Sequence, residues 1–440
     1  MAYPKIIHPQ NLNQEQCYGE VIQVGDILNY KPSVVKFSDD ELRMFTVHWH
    51  IEPDAIGGKQ THHSVMFRSM DGGKSWSDGE HLPFVGHEPS AMVIDDVLFV
   101  HTHVFHYEKP FYVSLMIYRS EDRGESWTSF ELTGDSLPDK KGARASLDPG
   151  RNFLRLKSGE IMWRIGCDHT DYRVSSKDLG KSWKIEKTTP IDPAIEYYNQ
   201  HNQTTVACEC FTFYSPSGRL LRLGRVEWQH LQNYDIPYKF AQDAAYDTDE
   251  GDGLILMESH DNGYTWEILR GVGIGGMMYP SILVLDEHRF LLQYTMRVVP
   301  PESTGYPYRH MGVHGIIVTE NEDGTFAMDF DNDLLVIDDR TPDHTTQGGG
   351  YGIVLALSDN TLLSPYSYRE LTPQLSQDIM NKCWRDKKYM EYFWHRAGRR
   401  RMSWEWFTSL SDILQFTIFC DQALETREAM YCTQVLRWKL

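Results

Sequence analysis

The stretch RSMDGGKSWSDG, Arg68 to Gly79, places Ser69, Asp71, Gly73 and Trp76 in the pattern S-x-D-x-G-x-x-W, which fits neither a helix nor a plain strand. The same offsets return in RSEDRGESW (Ser120, Asp122, Gly124, Trp127), SSKDLGKSW (Ser176, Asp178, Gly180, Trp183) and ESHDNGYTW (Ser259, Asp261, Gly263, Trp266). Asp and Ser side chains can hydrogen-bond nearby backbone N–H groups, Gly accepts positive φ, and a Trp three residues later can pack beneath the turn. Each copy reads as a hairpin staple rather than a Ca²⁺ loop or a reacting carboxylate, because a turn accounts for all four fixed positions.

A second repeat lies beside these turns. KPSVVKFSDDELRMFTVHW, EPSAMVIDDVLFVHTHV, GRNFLRLKSGEIMWRIG, ECFTFYSPSGRLLRLGR, YPSILVLDEHRFLLQYTMR and YGIVLALSDNTLLSPYSYR each run apolar stretch, polar turn, apolar stretch, as two paired strands do. Six such units at roughly fifty-residue spacing predict an all-β, six-bladed β-propeller with its turn motifs on the rim. A single domain over residues 1–440 is expected. The fifth unit carries a decayed turn, ENEDGTF, and TQVLRWKL near the C-terminus reads as a strand that closes the ring. Two insertions interrupt the spacing. Residues 227–253 read as a loop over one end, and residues 371–407, within the last blade, have helix-like apolar spacing and offer Trp394, Trp404 and Trp406 as sugar platforms or partner surface.

Composition narrows the function. A formal charge of −19 argues against a nucleic-acid partner, which needs clustered Lys and Arg. No segment approaches a membrane span, and the start, MAYPKIIHPQNLN, lacks a charged region followed by an apolar run. The seven Cys, odd in number, suggest reduced thiols; CEC at Cys208 and Cys210 is a weak metal-site candidate. A soluble, cytoplasmic protein without cofactor or metal is expected; its oligomeric state is not legible.

With these turns and units the chain resembles the sialidase (neuraminidase) superfamily, whose six-bladed propellers carry the turn motifs known as Asp boxes. The resemblance covers most of residues 25–370 and the final strand. It implies a substrate over the axis, ringed by the starts of inner strands and the ends of second strands. Counting back from each unit's turn puts the inner-strand starts at Lys31, Glu88, Gly150, Glu209, Tyr279 and Tyr351. ECFTFYSPSGRLLRLGR looks like the segment in which a Glu activates the catalytic Tyr and an Arg sixteen residues on binds the substrate carboxylate, which are Glu209 and Arg225 here. GGGYGIVLALSDNTLLSPY looks like the segment bearing the Tyr itself, Tyr351. A neutral phenol deprotonated by a neighbouring Glu suits an anomeric carbon that bears a carboxylate, because an anionic nucleophile is repelled there.

Departures from the family pattern matter as much. Its first-blade Arg is absent from NYKPSVV, where Lys31 is the nearest cation and cannot form a bidentate fork. The third Arg of the clamp is Arg297 or Arg309. The acid/base Asp is missing from KQTHHSVMFRS, leaving His62 or His63 as proton donor. Further His residues gather in VHWH, GHEP and HTHVFH, and GCDHTDYR adds Asp168; the turn count puts His48, His103 and Asp168 near second-strand ends facing the axis. The alternating HTH could also offer two imidazoles to Zn²⁺.

Three functions follow from this reading. The first is a sialidase-like exo-glycosidase cleaving a terminal acidic or polar sugar, with Tyr351 as nucleophile, Glu209 as its base and a His as acid/base. Lys31, His48, Glu88, His103, Asp168, Arg225, Tyr279 and Arg297 or Arg309 would bind the carbohydrate. The second is a propeller lyase that uses His, Tyr and Arg for β-elimination on a uronate. The third is a non-catalytic glycan-binding propeller.

Overall fold

The computed structural model describes residues 3–27, 29–51, 60–106, 112–142, 145–167, 170–188, 208–226, 253–273, 275–297, 299–300, 302–340, 350–370, 409 and 430–440. These form six antiparallel sheets, the blades of a propeller. Blade 1 comprises Asn29–Lys36, Leu42–Ile51, Gln60–Ser69 and Glu80–Val85, and blade 2 comprises His87–Ile94, Val97–His106, Tyr112–Ser120 and Thr128–Leu132. In blade 3 a broken inner strand, Asp148–Pro149 and Leu154–Arg155, pairs with Ile161–Cys167, followed by Thr170–Ser176 and Lys184–Lys187. Blade 4 comprises Cys208–Tyr214, Leu220–Val226, Gly253–Ser259 and Glu267–Val272, and blade 5 is centred on Met277–Val284, Arg289–Met296 and Gly312–Glu320. The two paired strands read in each sequence unit are the inner and second strands.

A blade has neighbours on both faces, so its middle strands are buried on both sides. Ile161–Cys167, Leu220–Val226 and Gly253–Ser259 are buried along their whole length. Polar interruptions must then be paired, and Arg164 and Arg222 share Asp171 at 2.6 and 2.7 Å. Apolar layers fill the spaces between blades: Phe99 and Ile117 meet Phe153 and Trp163, while Leu221 and Leu254 meet Phe290 and Leu292.

The repeated turns connect the third strands to the outer ones and fasten each blade to the one before it. In all four copies the Ser hydroxyl accepts the Gly N–H, at 2.9, 2.8, 2.7 and 2.8 Å, and donates to the Asp carboxylate. The other carboxylate oxygen accepts the hydroxyl of Ser75, Ser126, Ser182 or Thr265, just before the Trp. The Gly then lies against the preceding blade. A Cβ on Gly124 would meet Met66, one on Gly180 would meet Phe99, and one on Gly263 would meet Met162. Gly73 faces Leu363 of blade 6 in the same way, so the pattern runs across the ring closure.

The C-terminal stretch read as closing the ring is a strand of blade 6, but the start of the chain completes the closure. Met430–Trp438 is the third strand of blade 6, after Leu355–Ala356 and Leu362–Glu370, and the outer strand is Gly19–Ile27 from the start of the chain. Lys5–Ile7 similarly adds to the edge of blade 5, beyond Leu334–Asp338. The helical insertion expected over 371–407, with Trp394, Trp404 and Trp406, and all but the last residue of the 227–253 segment lie outside the described residues.

Candidate active site

The inner strands begin at one end of the ring, and four of them begin with the same irregularity. Register slips between Tyr30 and Ser33, His87 and Ser90, Cys208 and Phe211, and Met278 and Ser281. Within the slips Lys31, Glu88, Glu209 and Tyr279 have φ of 55, 55, 45 and 49°, and Tyr351 at the start of blade 6 has φ of 80°. A left-handed backbone costs a residue with a Cβ about 1–2 kcal/mol, and a bulge re-aims the side chain it carries. All five residues line one cleft, which Gly150, Arg151, His101 and His103 also border. The strain is spent on placing these side chains.

Tyr30 Oη donates to Tyr351 Oη at 2.7 Å, the Tyr279 ring centroid lies 4.0 Å from that of Tyr351, and the Lys31 ammonium stands 4.4 Å over the Tyr351 ring. Lys31 pairs with Glu88 and lies 3.0 Å from His87 Nε2, while His103 Nε2 is 3.7 Å from the second Glu88 oxygen. Elsewhere on the wall Glu209 accepts from Arg225 Nη1 at 2.9 Å. Arg151 Nη2 donates to the Tyr351 carbonyl with its guanidinium 5.1 Å over the Tyr279 ring, and Arg297 Nη1 is 3.4 Å from Tyr279 Oη.

Burial, reinforced by the charge on Lys31, pushes His103 down to about 3, so it is neutral near pH 7. Burial, with Glu209 second, raises the Tyr279 phenol well above its ordinary value. Asp148, next to the cleft-lining Pro149, is lifted by burial to about 6 against the pull of Arg164. Lys31, Arg151, Arg225 and Arg297 bring four positive charges to the cleft and its backing against two negative ones on Glu88 and Glu209. The site is therefore cationic in a chain of net charge −19.

Of the residues singled out from sequence, Lys31, Glu88, His103, Glu209, Tyr279 and Tyr351 meet on the cleft, with Arg225 and Arg297 directly behind Glu209 and Tyr279. Arg309 stands elsewhere: its Nε donates to the Pro300 carbonyl at 3.1 Å, its Nη1 faces Glu302 at 3.8 Å, and its side chain is half-exposed. His48, expected to face the axis, borders a separate cavity with Asn29, Trp76 and His81. It sits one strand farther out, behind the bulge that gives the axial place to Lys31. His63 belongs to the same neighbourhood, its ring centroid 6.3 Å from that of His81. Asp168 and the side chain of His62 lie outside the described residues. Cys210 is buried and its thiol is pushed up to about 11, which disfavours the thiolate a metal would need.

Sequence reasoning missed Arg151 and Tyr30. The signal for Arg151 was present, because the turn count marked Gly150, which carries no side chain, and the following residue takes its place on the wall.

No family model matches the sequence, and no curated protein does. Solved structures share the fold. A mutant of the NanB sialidase from Streptococcus pneumoniae aligns at a TM-score of 0.51 with 12% identity, over 83% of this chain and 69% of that one. The same sialidase bound to a chlorobenzylammonio-ethanesulfonate gives 0.50 and 12%, over 80% and 67%. A mutant Trypanosoma rangeli sialidase with trans-sialidase activity gives 0.44 and 12%, over 90% and 60%. The chain thus spans roughly two thirds of the length of these proteins, and the likeness is one of propeller fold.

Proposed function

We propose that the axial cleft is the active site of a glycoside hydrolase that removes a terminal acidic sugar from a glycan. The observation that carries this reading is the presence of Tyr351 and Glu209, both with left-handed backbones, on one cationic cleft of a strongly acidic protein. Tyr351 Oη attacks the anomeric carbon and passes its proton to Glu209, while Arg225 holds that carboxylate in place at 2.9 Å. Glu88 takes up a proton as Lys31 turns from it to the substrate's anionic group, protonates the leaving oxygen, and as the carboxylate so formed activates the water that releases the sugar. Lys31, Arg225 and Arg297 favour the anionic group. That sialidases share this propeller fold supports reading the site as that of a glycoside hydrolase. A cytoplasmic location is proposed with it, since seven Cys, an odd number without metal-ligand spacing, suit reduced thiols.

One observation favours a second reading, β-elimination on a uronate. The neutral imidazole of His103 stands near Lys31, and Arg151 and Tyr351 line the same cleft, a set that could neutralise a carboxylate and remove the C5 proton. Incubation with sialosides, other acidic oligosaccharides and uronate polysaccharides, followed by mass and ultraviolet analysis, separates the two. Hydrolysis gives product masses that sum to substrate plus water and no new chromophore. Elimination adds no water and leaves an unsaturated uronate that absorbs in the ultraviolet. Tyr351→Phe should lower turnover by at least about 10³-fold with the fold intact, on the scale of losing a nucleophile. Unchanged turnover in that variant rules out Tyr351 as nucleophile, and no product from any substrate leaves a glycan-binding propeller.

A further inference from the structure

The cations of the cleft differ in what they already hold. Lys31 is paired with Glu88, and Arg225 with Glu209. Arg151 is not committed in this way. Its Nη2 donates to the Tyr351 carbonyl, but its Nη1 is buried and has no hydrogen-bond partner, an expensive state for a guanidinium N–H. The residue is also firmly placed. Its backbone N–H donates to the Cys210 carbonyl of blade 4 at 2.8 Å, and its carbonyl accepts from Ser90 Oγ of blade 2. Gly150, with its own N–H on the Arg164 carbonyl at 2.7 Å, leaves the blade 3 position without a side chain, and Arg151 enters the cleft there. Tyr279 lies under the guanidinium.

We infer that Arg151 is the specificity-determining anion contact of this cleft: its unpartnered Nη1 receives the carboxylate of an acidic sugar. The assignment rests on the reading of the cleft as a sugar site. It takes the primary carboxylate contact away from Arg225, which serves instead to position Glu209. It also ties substrate binding to the backbone of Tyr351, because one guanidinium holds both.

Binding measured by isothermal titration calorimetry tests this without requiring turnover. N-acetylneuraminic, glucuronic and galacturonic acids are each compared with their methyl esters, which keep the sugar and remove the charge. The wild-type protein should prefer at least one acid over its ester by about 10- to 100-fold, the range for a charge-assisted hydrogen bond. Arg151→Met should abolish that preference with ester affinity unchanged. Arg151→Lys, which keeps the charge but cannot serve Tyr351 and ligand together, should reduce it several-fold and carries the test if the Met variant does not fold. Arg309→Gln, at the exposed surface, should leave it intact. Retention of the full acid preference in both Arg151 variants overturns the inference and leaves the sugar site standing. Failure of the wild-type protein to bind any acid or ester overturns the sugar-site reading itself.

Discussion

Replacing Glu88 by alanine and by glycine separates what its side chain does from what its backbone costs. Both variants lose the contact with Lys31, so their difference reports on the backbone at φ 55°. Alanine must pay the left-handed penalty of about 1–2 kcal/mol, which glycine escapes. Glycine returns roughly 0.4–1 kcal/mol of this through its freer unfolded chain. E88G should therefore be more stable than E88A by about 0.5–1 kcal/mol. The internal control is Ala91, three residues along the same inner strand and 2% exposed. There no positive φ is relieved, and A91G should cost about 1–2 kcal/mol in strand entropy and lost methyl burial. Urea unfolding followed by tryptophan fluorescence, with twelve Trp as reporters, measures all three midpoints. Lys31, at the same φ, should show the same sign. If E88G is no more stable than E88A, the backbone is not strained as described and the argument that strain places the cleft residues fails.

Two further outcomes follow from burial. Gly180 has φ of 77° and a Cβ there would sit 2.3 Å from Phe99, whereas Gly142 has φ of 80° and open space, so G180A should destabilise by about 3 kcal/mol or more and G142A by only about 1; equal unfolding midpoints would remove the inter-blade staple. Acid should weaken the fold well above the range in which ordinary carboxylates titrate. Burial holds His101, His103 and His314 down to about 3, so between pH 6.5 and 3 the unfolded chain binds protons that the native one refuses, and stability falls by up to about 1.4 kcal/mol per pH unit for each. Asp148 and Asp338, lifted to about 6, bind protons in the native state first and oppose this below pH 6. The net decline should thus run from about pH 6.5 down to 3 and steepen below about 4, where the unfolded carboxyls bind their protons as well, and a urea midpoint unchanged from pH 7 to 5 would contradict it.

The propeller was legible because its determinants are local. A turn such as Ser120–Trp127 needs fixed residue types at fixed offsets, and counting back from the internal turns reached Lys31, Glu88, Glu209, Tyr279 and Tyr351, all of which line the cleft. What was not legible depends on partners distant in sequence. Arg225 reads as a ligand clamp, and its ion pair with Glu209, sixteen residues away on the paired strand, is a contact that residue types alone do not announce. His48 read as axial because strand counting fixes distance along a blade but not the layer its ring enters. Arg151 escaped notice because its role depends on a glycine before it and on carbonyls from two other blades. The edge strand Gly19–Ile27 is apolar enough to be a strand, but nothing local in it names Met430–Trp438 as its partner.

The double use of the first residues at the ring's seam sets a timetable for the making of the molecule. Lys5–Ile7 and Gly19–Ile27 find their partners at Leu334–Val336 and at Cys432–Trp438, so the first cannot be seated until roughly three quarters of the chain has been synthesised and the second until nearly all of it has. At roughly 5–20 residues per second this is a wait of about 20–80 s, during which blades 1 to 4 can assemble beside an unclaimed leading segment. Blades 5 and 6 keep an open sheet edge until that segment arrives, which makes the last stage of biogenesis the one most exposed to edge-to-edge association and to chaperone capture. A bulky fusion placed before Tyr3 acts on that late stage. Its cost should appear as a lower yield of closed propeller, with no change in the activity of the molecules that close.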